Sequence, residues 1–171
     1  VRWQVDAATG REINLRGTAE NGLLVRRTVS LGDDGMVHLR TAAENAGSGE
    51  ISLALQARLD LDPGRSVSPV VAFRRQDGGA WERRLSELDR DPSGPENFLD
   101  GGRPDGELRL MLPASNCIVR FPADQAARAY LIWSLRTTRN VTFGLWSAAK
   151  ALKPGEILYL NLDVASQPAG R

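Results

Sequence analysis

His38 is the only histidine and Cys117 the only cysteine in the 171 residues. That inventory narrows the chemistry at once. A structural or catalytic zinc site needs three or four Cys, His or carboxylate ligands, and the chain supplies one of each of the first two. A Ser-His-Asp triad would have to use His38, and no Gly-x-Ser-x-Gly elbow is present. His38 alternates with Met36 and Arg40 on the polar side of its strand, so it is expected to be exposed. Cys117 leads into Ile118 after a turn and is expected to be a buried, inert thiol. No disulfide can close within the chain. Phosphate loops of the Gly-x-Gly-x-x-Gly or Walker type are absent.

Carboxylates offer more. Residues 86–106, SELDRDPSGPENFLDGGRPDG, form the one long irregular segment and carry Glu87, Asp89, Asp91, Glu96, Asp100 and Asp105. Oxygen-rich loops bind calcium. The spacing fits no EF-hand, and Arg90 and Arg103 offset the charge, so a solvated loop comes first and calcium second; no other cofactor is implied. Paired carboxylates of the glycosidase kind meet only in space, and no pair stands out. The four tryptophans are the remaining candidates. Trp81 stands near the long loop beside Glu82 and Arg83, and Trp146 shares a strand face with Thr142 and Gly144. A sugar-binding face uses exposed Trp or Tyr rings surrounded by polar groups. Trp3 and Trp133 are expected to pack, and packing comes first for the other two as well. The candidate ligand-binding set is therefore Trp81, Arg83, Glu96, Asp100 and Trp146, with no catalytic residue and no metal ligand. Arg27 interrupts an apolar strand face and reads as a snorkelling or edge residue.

The elements that must position these residues are strands. From Ile51 to Leu61 the odd positions are Ile, Leu, Leu, Ala, Leu and Leu, while the even ones are mostly polar. Period two marks a strand with one buried face. Leu23–Leu31 and Val37–Ala43 repeat the pattern. Gly32-Asp33-Asp34-Gly35 and Asn45-Ala46-Gly47-Ser48-Gly49 supply turns. Short connections predict that these three strands are antiparallel neighbours. Further strands are predicted at 1–5, 12–18, 66–74, 80–84, 106–112, 117–121, 129–135, 141–147 and 157–164, with helix tolerance only at 123–128 and near 85–89. About a dozen strands with turn signals every 8 to 12 residues predict an all-β, antiparallel sandwich. One domain is expected over 1–165, with a frayed tail at 166–171.

Lys plus Arg is 22 against Asp plus Glu at 21, a net charge of +1, which gives no electrostatic case for nucleic acid or an anionic membrane. Lys150 and Lys153 are the only lysines, an arginine bias that points to a GC-rich, bacterial genome. No apolar run reaches 18 residues, so no membrane span is predicted. The opening Val1, already in a strand and without a signal peptide, suggests a fragment of a longer protein, secreted or periplasmic rather than cytoplasmic.

The run ENGLLVRRTVSLGDDGMVHLRTAAENAGSGEISLALQ resembles galactose-mutarotase-like domains. It has their strand, polar hairpin, long strand ending in a Thr-x-x-x-Asn element (Thr41 to Asn45) and apolar strand. VTFGLWSAAKALKPGEILYLNLDV is similar to their closing strands, with Leu-Trp before a Pro-Gly-Glu turn. The resemblance covers about a third of the chain. It implies a β-supersandwich in a carbohydrate-related protein. Mutarotases use catalytic His and Glu residues, and His38 matches neither role, so no catalytic residue is carried over. The expected function is a non-catalytic module that supports a neighbouring catalytic domain or binds a glycan. The alternatives are a sugar epimerase-like or glycoside-processing domain using paired carboxylates, and a structural or protein-interaction sandwich.

Overall fold

The computed structural model describes residues 2–61, 70–84, 97–111, 115–134 and 140–168. In chain order its strands are β1 (Arg2–Ala8), β2 (Glu12–Thr18), β3 (Leu23–Leu31), β4 (Val37–Asn45), β5 (Ile51–Leu53), β6 (Gln56–Leu61), β7 (Val70–Arg75), β8 (Ala80–Arg84), β9 (Asn97–Gly102), β10 (Pro104–Met111), β11 (Ser115–Arg120), β12 (Arg128–Ser134), β13 (Asn140–Trp146), β14 (Lys150–Leu152) and β15 (Ile157–Pro168). Among the described residues there is no helix, and so none long and apolar enough to cross a membrane.

Nine strands form one sheet in the order β1-β2-β3-β4-β15-β11-β10-β7-β8. A four-stranded sheet, β6-β13-β12-β9, covers part of it, and β14 pairs with β5 in a small third sheet. Every pairing is antiparallel. The chain is thus an all-β sandwich. Its core is where the alternating apolar residues of the two sheets meet. Ala43, Val71, Phe73, Leu108, Leu110, Val119, Leu160 and Leu162 come from the large sheet. Ala57, Ala129, Leu131, Phe143 and Leu145 come from the small one. Both sets are the period-two positions of their strands, which is why strand propensity and burial agree here.

Gly22 shows how tightly the turns are set. Its φ is +82°, and a Cβ there would lie 2.5 Å from the Gly47 Cα, so the 19–22 and 45–49 turns pack backbone to backbone. Asn45, fully buried, ties the same corner. Its Nδ2 donates to the carbonyls of Gly49 and Leu152, each at 2.7 Å, and its Oδ1 accepts from the Gly47 N–H at 3.0 Å. The Thr-x-x-x-Asn element therefore closes the hairpin by hydrogen bonds.

Several expectations need correction. The run from Ile51 to Leu61 is two strands with different partners: β5 joins β14, while β6 joins β13. β4 does not pair with it at all, because β15 occupies that edge. The break falls at Ala54–Leu55, where Leu55 N–H donates to Ser147 Oγ and Ser147 N–H to Leu55 O, both at 2.9 Å. Part of the presumed 86–106 loop is structured, with β9 at 97–102 and β10 beginning at Pro104. The helix-tolerant 123–128 segment is a turn held by Gln125 N–H on Pro122 O. Ser166–Pro168, expected to fray, pair with Ser115–Cys117. The helical turn considered near 85–89 lies outside the described residues.

Candidate functional site: the polar face of the large sheet

The large sheet turns one face to the core and carries mostly polar side chains on the other, with Ile118 as a buried apolar exception. Register places Glu12, Ser30, His38, Asp163, Arg120 and Glu107 in a single row across six strands, from β2 to β10. At about 4.8 Å per strand the row is roughly 24 Å long. Its centre is an ionic cluster. Asp163 receives His38 Nδ1 at 2.7 Å and Arg40 Nη2 at 2.5 Å, and the other ring nitrogen of His38 lies 3.5 Å from Asp34. Two strands further on, Glu107 is held by Arg109 Nε at 2.5 Å and Arg120 Nε at 3.0 Å. His38, expected to be exposed, is thus half-buried and engaged.

Both carboxylates are held below their ordinary range. Partial burial opposes the charge, but hydrogen bonds and charge from His38 and Arg40 outweigh it at Asp163. Arg109 and Arg120 do the same at Glu107. Both anions are matched by arginine cations, Arg40 at Asp163 and Arg109 with Arg120 at Glu107.

Along β15, Tyr159, Asn161 and Asp163 follow at two-residue spacing and share this face. Tyr159 is 49% exposed, and its cross-strand neighbour is the small Ala42. Ala42 in turn pairs with Arg26, which forms an ion pair with Glu44 at 2.7 Å. Tyr159 was not among the candidates read from the sequence. The signal was there: in Ile157-Leu158-Tyr159-Leu160-Asn161-Leu162 it falls on the polar phase. Toward the other edge, small side chains at Ala72 and Ala80 leave a hollow of about 360 Å³ bordered by Arg74, Trp81, Glu82, Glu107 and Arg109.

The residues singled out in the sequence stand in three places. Trp81 is 5% exposed and stacks on Phe73 with ring centroids 4.8 Å apart, so it is part of the core, with its backbone at the rim of the hollow. Arg83, exposed, lies 5.3 Å over the Trp81 ring. In register, Tyr130 is paired with Asp100 on one side and Gly144 on the other, and Trp146 lies two residues beyond Gly144 on β13. Trp146 is half-buried with its ring centroid 6.4 Å from that of Tyr130. Asp100 is described by its backbone alone, and so is Trp133, whose register partner is Val141. Glu96, together with Glu87, Asp89 and Asp91 of the calcium reading, lies outside the described residues. Trp3, expected to pack, is 44% exposed. Cys117 sits on the core face between Leu110 and Ser166, and burial pushes its thiol pKa up. Among the described residues no group of three His, Cys, Asp or Glu side chains is placed to hold a metal ion.

No protein-family model and no curated protein matches the sequence. Solved structures do match in fold. Slr1438 from Synechocystis sp. PCC 6803 superposes with a TM-score of 0.74 at 11% identity, over 96% of this chain and 65% of its own. A putative aldose 1-epimerase from Escherichia coli K12 gives 0.69 at 13% identity, over 98% and 69%. The GH36 α-galactosidase AgaA from Geobacillus stearothermophilus gives 0.60 at 14%, over 93% of this chain and 24% of the enzyme. The chain therefore spans about two thirds of the first two proteins and a quarter of the third. The fold of this chain is that of the galactose-mutarotase-like proteins.

Proposed function

We propose that this chain is a carbohydrate-associated β-module that binds a glycan on the polar face of its nine-stranded sheet without transforming it. The observation that carries the reading is the line Tyr159, Asn161, Asp163 beside Arg40 and His38. It offers an exposed aromatic ring with a row of donors and acceptors at strand spacing. A sugar presents an apolar C–H face and a rim of hydroxyls, and such a surface complements both. The carbohydrate context is supported by neighbours of the same fold that bear the names aldose 1-epimerase and α-galactosidase.

Binding is favoured over turnover by the state of the carboxylates. Acid–base chemistry on a sugar needs two groups whose proton affinities are pushed apart, one of them raised. Asp163 and Glu107 stand two strands apart, on the order of 10 Å, and both are pulled down by arginine or histidine partners. The proposal is tested by titrating oligosaccharides and uronic-acid sugars calorimetrically into the wild-type chain and Tyr159→Ala. The variant is expected to lose roughly tenfold in affinity, about 1.4 kcal/mol, with an unchanged circular dichroism spectrum. Equal affinities would place the site elsewhere. Wild-type conversion of a pure sugar anomer, faster than buffer and abolished in Asp163→Asn, would establish the enzyme reading instead.

A further inference from the structure

The core face of the large sheet is longer than its cover. Gly101 of β9 lies against Phe73, and Ala129 and Leu131 of β12 line the same interior as Val71 and Trp81. This sets β9 and β12 over β7 and β8, and leaves β6 as the small sheet's opposite edge, unpaired among the described residues. Beyond it, β1, β2 and the β3–β4 hairpin end carry apolar side chains on the core-facing side that no described residue covers, while Val25 and Ala43 further along β3 and β4 are buried. Register aligns Trp3 with Gly17 and Val25, Val5 with Leu15 and Arg27, Ile13 with Val29 and Leu39, and Leu31 with Val37. Val5 is 64% exposed, and Trp3, Ile13, Leu31 and Val37 each lie between 39% and 45%. Such a contiguous apolar patch marks an interaction surface.

Arg27 says what the surface is for. It stands in the middle of this patch, half-buried, with Nε donating to the buried Thr41 Oγ1 at 3.1 Å and the Trp3 ring 5.6 Å from its guanidinium. Burial depresses its pKa, and among the described residues no carboxylate answers it. The face positions of β1 to β4 contain no Asp or Glu. A second copy docked face to face would therefore set Arg27 against apolar groups or against its own twin, which is costly. We infer that the face binds a different protein segment, apolar along one side, with an Asp or Glu carboxylate opposite Arg27, running as a strand beside β6. Backbone pairing at β6 would supply affinity, and the carboxylate would set register. This inference is independent of glycan binding on the opposite face.

The test uses a fluorescein-labelled, strand-forming peptide alternating Val and Thr with one central Glu, and a twin with Gln in its place. By anisotropy the Glu peptide is expected to bind the wild-type chain roughly tenfold more tightly than the twin. Arg27→Gln should erase the difference, Arg27→Lys should retain part of it, and Val5→Asp should weaken both peptides. Thermal melts of the three variants confirm folding, and Val5, being mostly exposed, is safe to change. Equal affinity of the two peptides, or no binding of either, overturns the inference. Two further outcomes overturn it in favour of another occupant. One is patch-dependent dimerisation of the chain alone in sedimentation velocity. The other is Val5-dependent binding to phosphatidylserine vesicles.

Discussion

Replacing Gly144 with alanine offers a sharp test of the four-stranded sheet. Gly144 is the cross-strand partner of Tyr130, and the phenol ring lies flat over its α-carbon. An added Cβ would stand 1.7 Å from Tyr130 Cζ, where ordinary contact begins at 3.4 Å. The ring would have to retreat by roughly 2 Å in a packed interior. It has little room to do so. Tyr130 is 4% exposed, its hydroxyl accepts a hydrogen bond from Gln56 Nε2, and Trp146 stands beside it. In an ordinary strand Gly→Ala gains about 0.5–1 kcal/mol from the unfolded chain's lost entropy. Overpacking of this severity costs about 3 kcal/mol. The net loss is about 2 kcal/mol, or a fall in Tm of about 4–8 °C for a chain of this length. Differential scanning calorimetry measures it directly. Tyr130→Ala, itself costing about 3–5 kcal/mol, should remove the clash, so Gly144→Ala on that background becomes neutral or favourable. The double-mutant cycle then shows a coupling of about 2 kcal/mol or more. If Gly144→Ala raises Tm in the presence of Tyr130, or if the two effects add, the ring does not lie over the glycine and the register of β12 on β13 is wrong.

The buried corner at Asn45 gives a second test. Asn45→Ala deletes three hydrogen bonds and orphans the Leu152 carbonyl, so urea unfolding should show a loss of about 3 kcal/mol or more at unchanged m-value. The polar face gives a third, through pH. Glu107 titrates below its ordinary value of 4.5, so its pairing with Arg109 and Arg120 stabilises the fold at neutral pH. That contribution is lost as the pH falls through the depressed value. Because both arginines are about half exposed, the effect is modest. Glu107→Gln is expected to be less stable than wild type at pH 7 and to converge on it as the pH falls below 4.5 and through the depressed value of Glu107, as followed by chemical denaturation; parallel curves would refute the pairing.

How much of this was legible in the sequence follows from what alternation encodes. Period two states which residues share a face. β2, β3 and β8 were read with the ends they have, and nearly every core residue lies on its predicted face. Alternation does not state which strand is the neighbour. The pattern runs without interruption through Leu53, Leu55, Ala57 and Leu59, although the chain changes sheets at Leu55, because both sheets bury the same side. β9 was hidden for the opposite reason: Asn97-Phe98-Leu99-Asp100-Gly101-Gly102 carries too few apolar residues to show a period, and its place is set by contact with β12. Trp81 misled through its charged neighbours. In a strand the residue next to a tryptophan points to the other face, so Glu82 says nothing about exposure of the ring, and Arg83, two residues on, lies over the ring while the ring itself is buried against Phe73.

The polar face was the least legible part, and for a physical reason. Packing constrains the core face so strongly that its residue types announce themselves, whereas almost any polar residue satisfies the solvent side. Chemistry on that side arises only from register. His38 and Asp163 are separated by 125 positions, and Arg120 meets Glu107 only because β10 and β11 pair as they do. Neither pairing has a local signature. Arg27 and Tyr159 are the two exceptions, since each violates the phase of its own strand, a cation among apolar residues and an aromatic among polar ones. Each violation costs the isolated domain something: a desolvated guanidinium on one face, an exposed ring on the other. The proposed glycan site and the proposed docking face would offset these costs on opposite faces of one sheet, and the phase violations are where the sequence marks both.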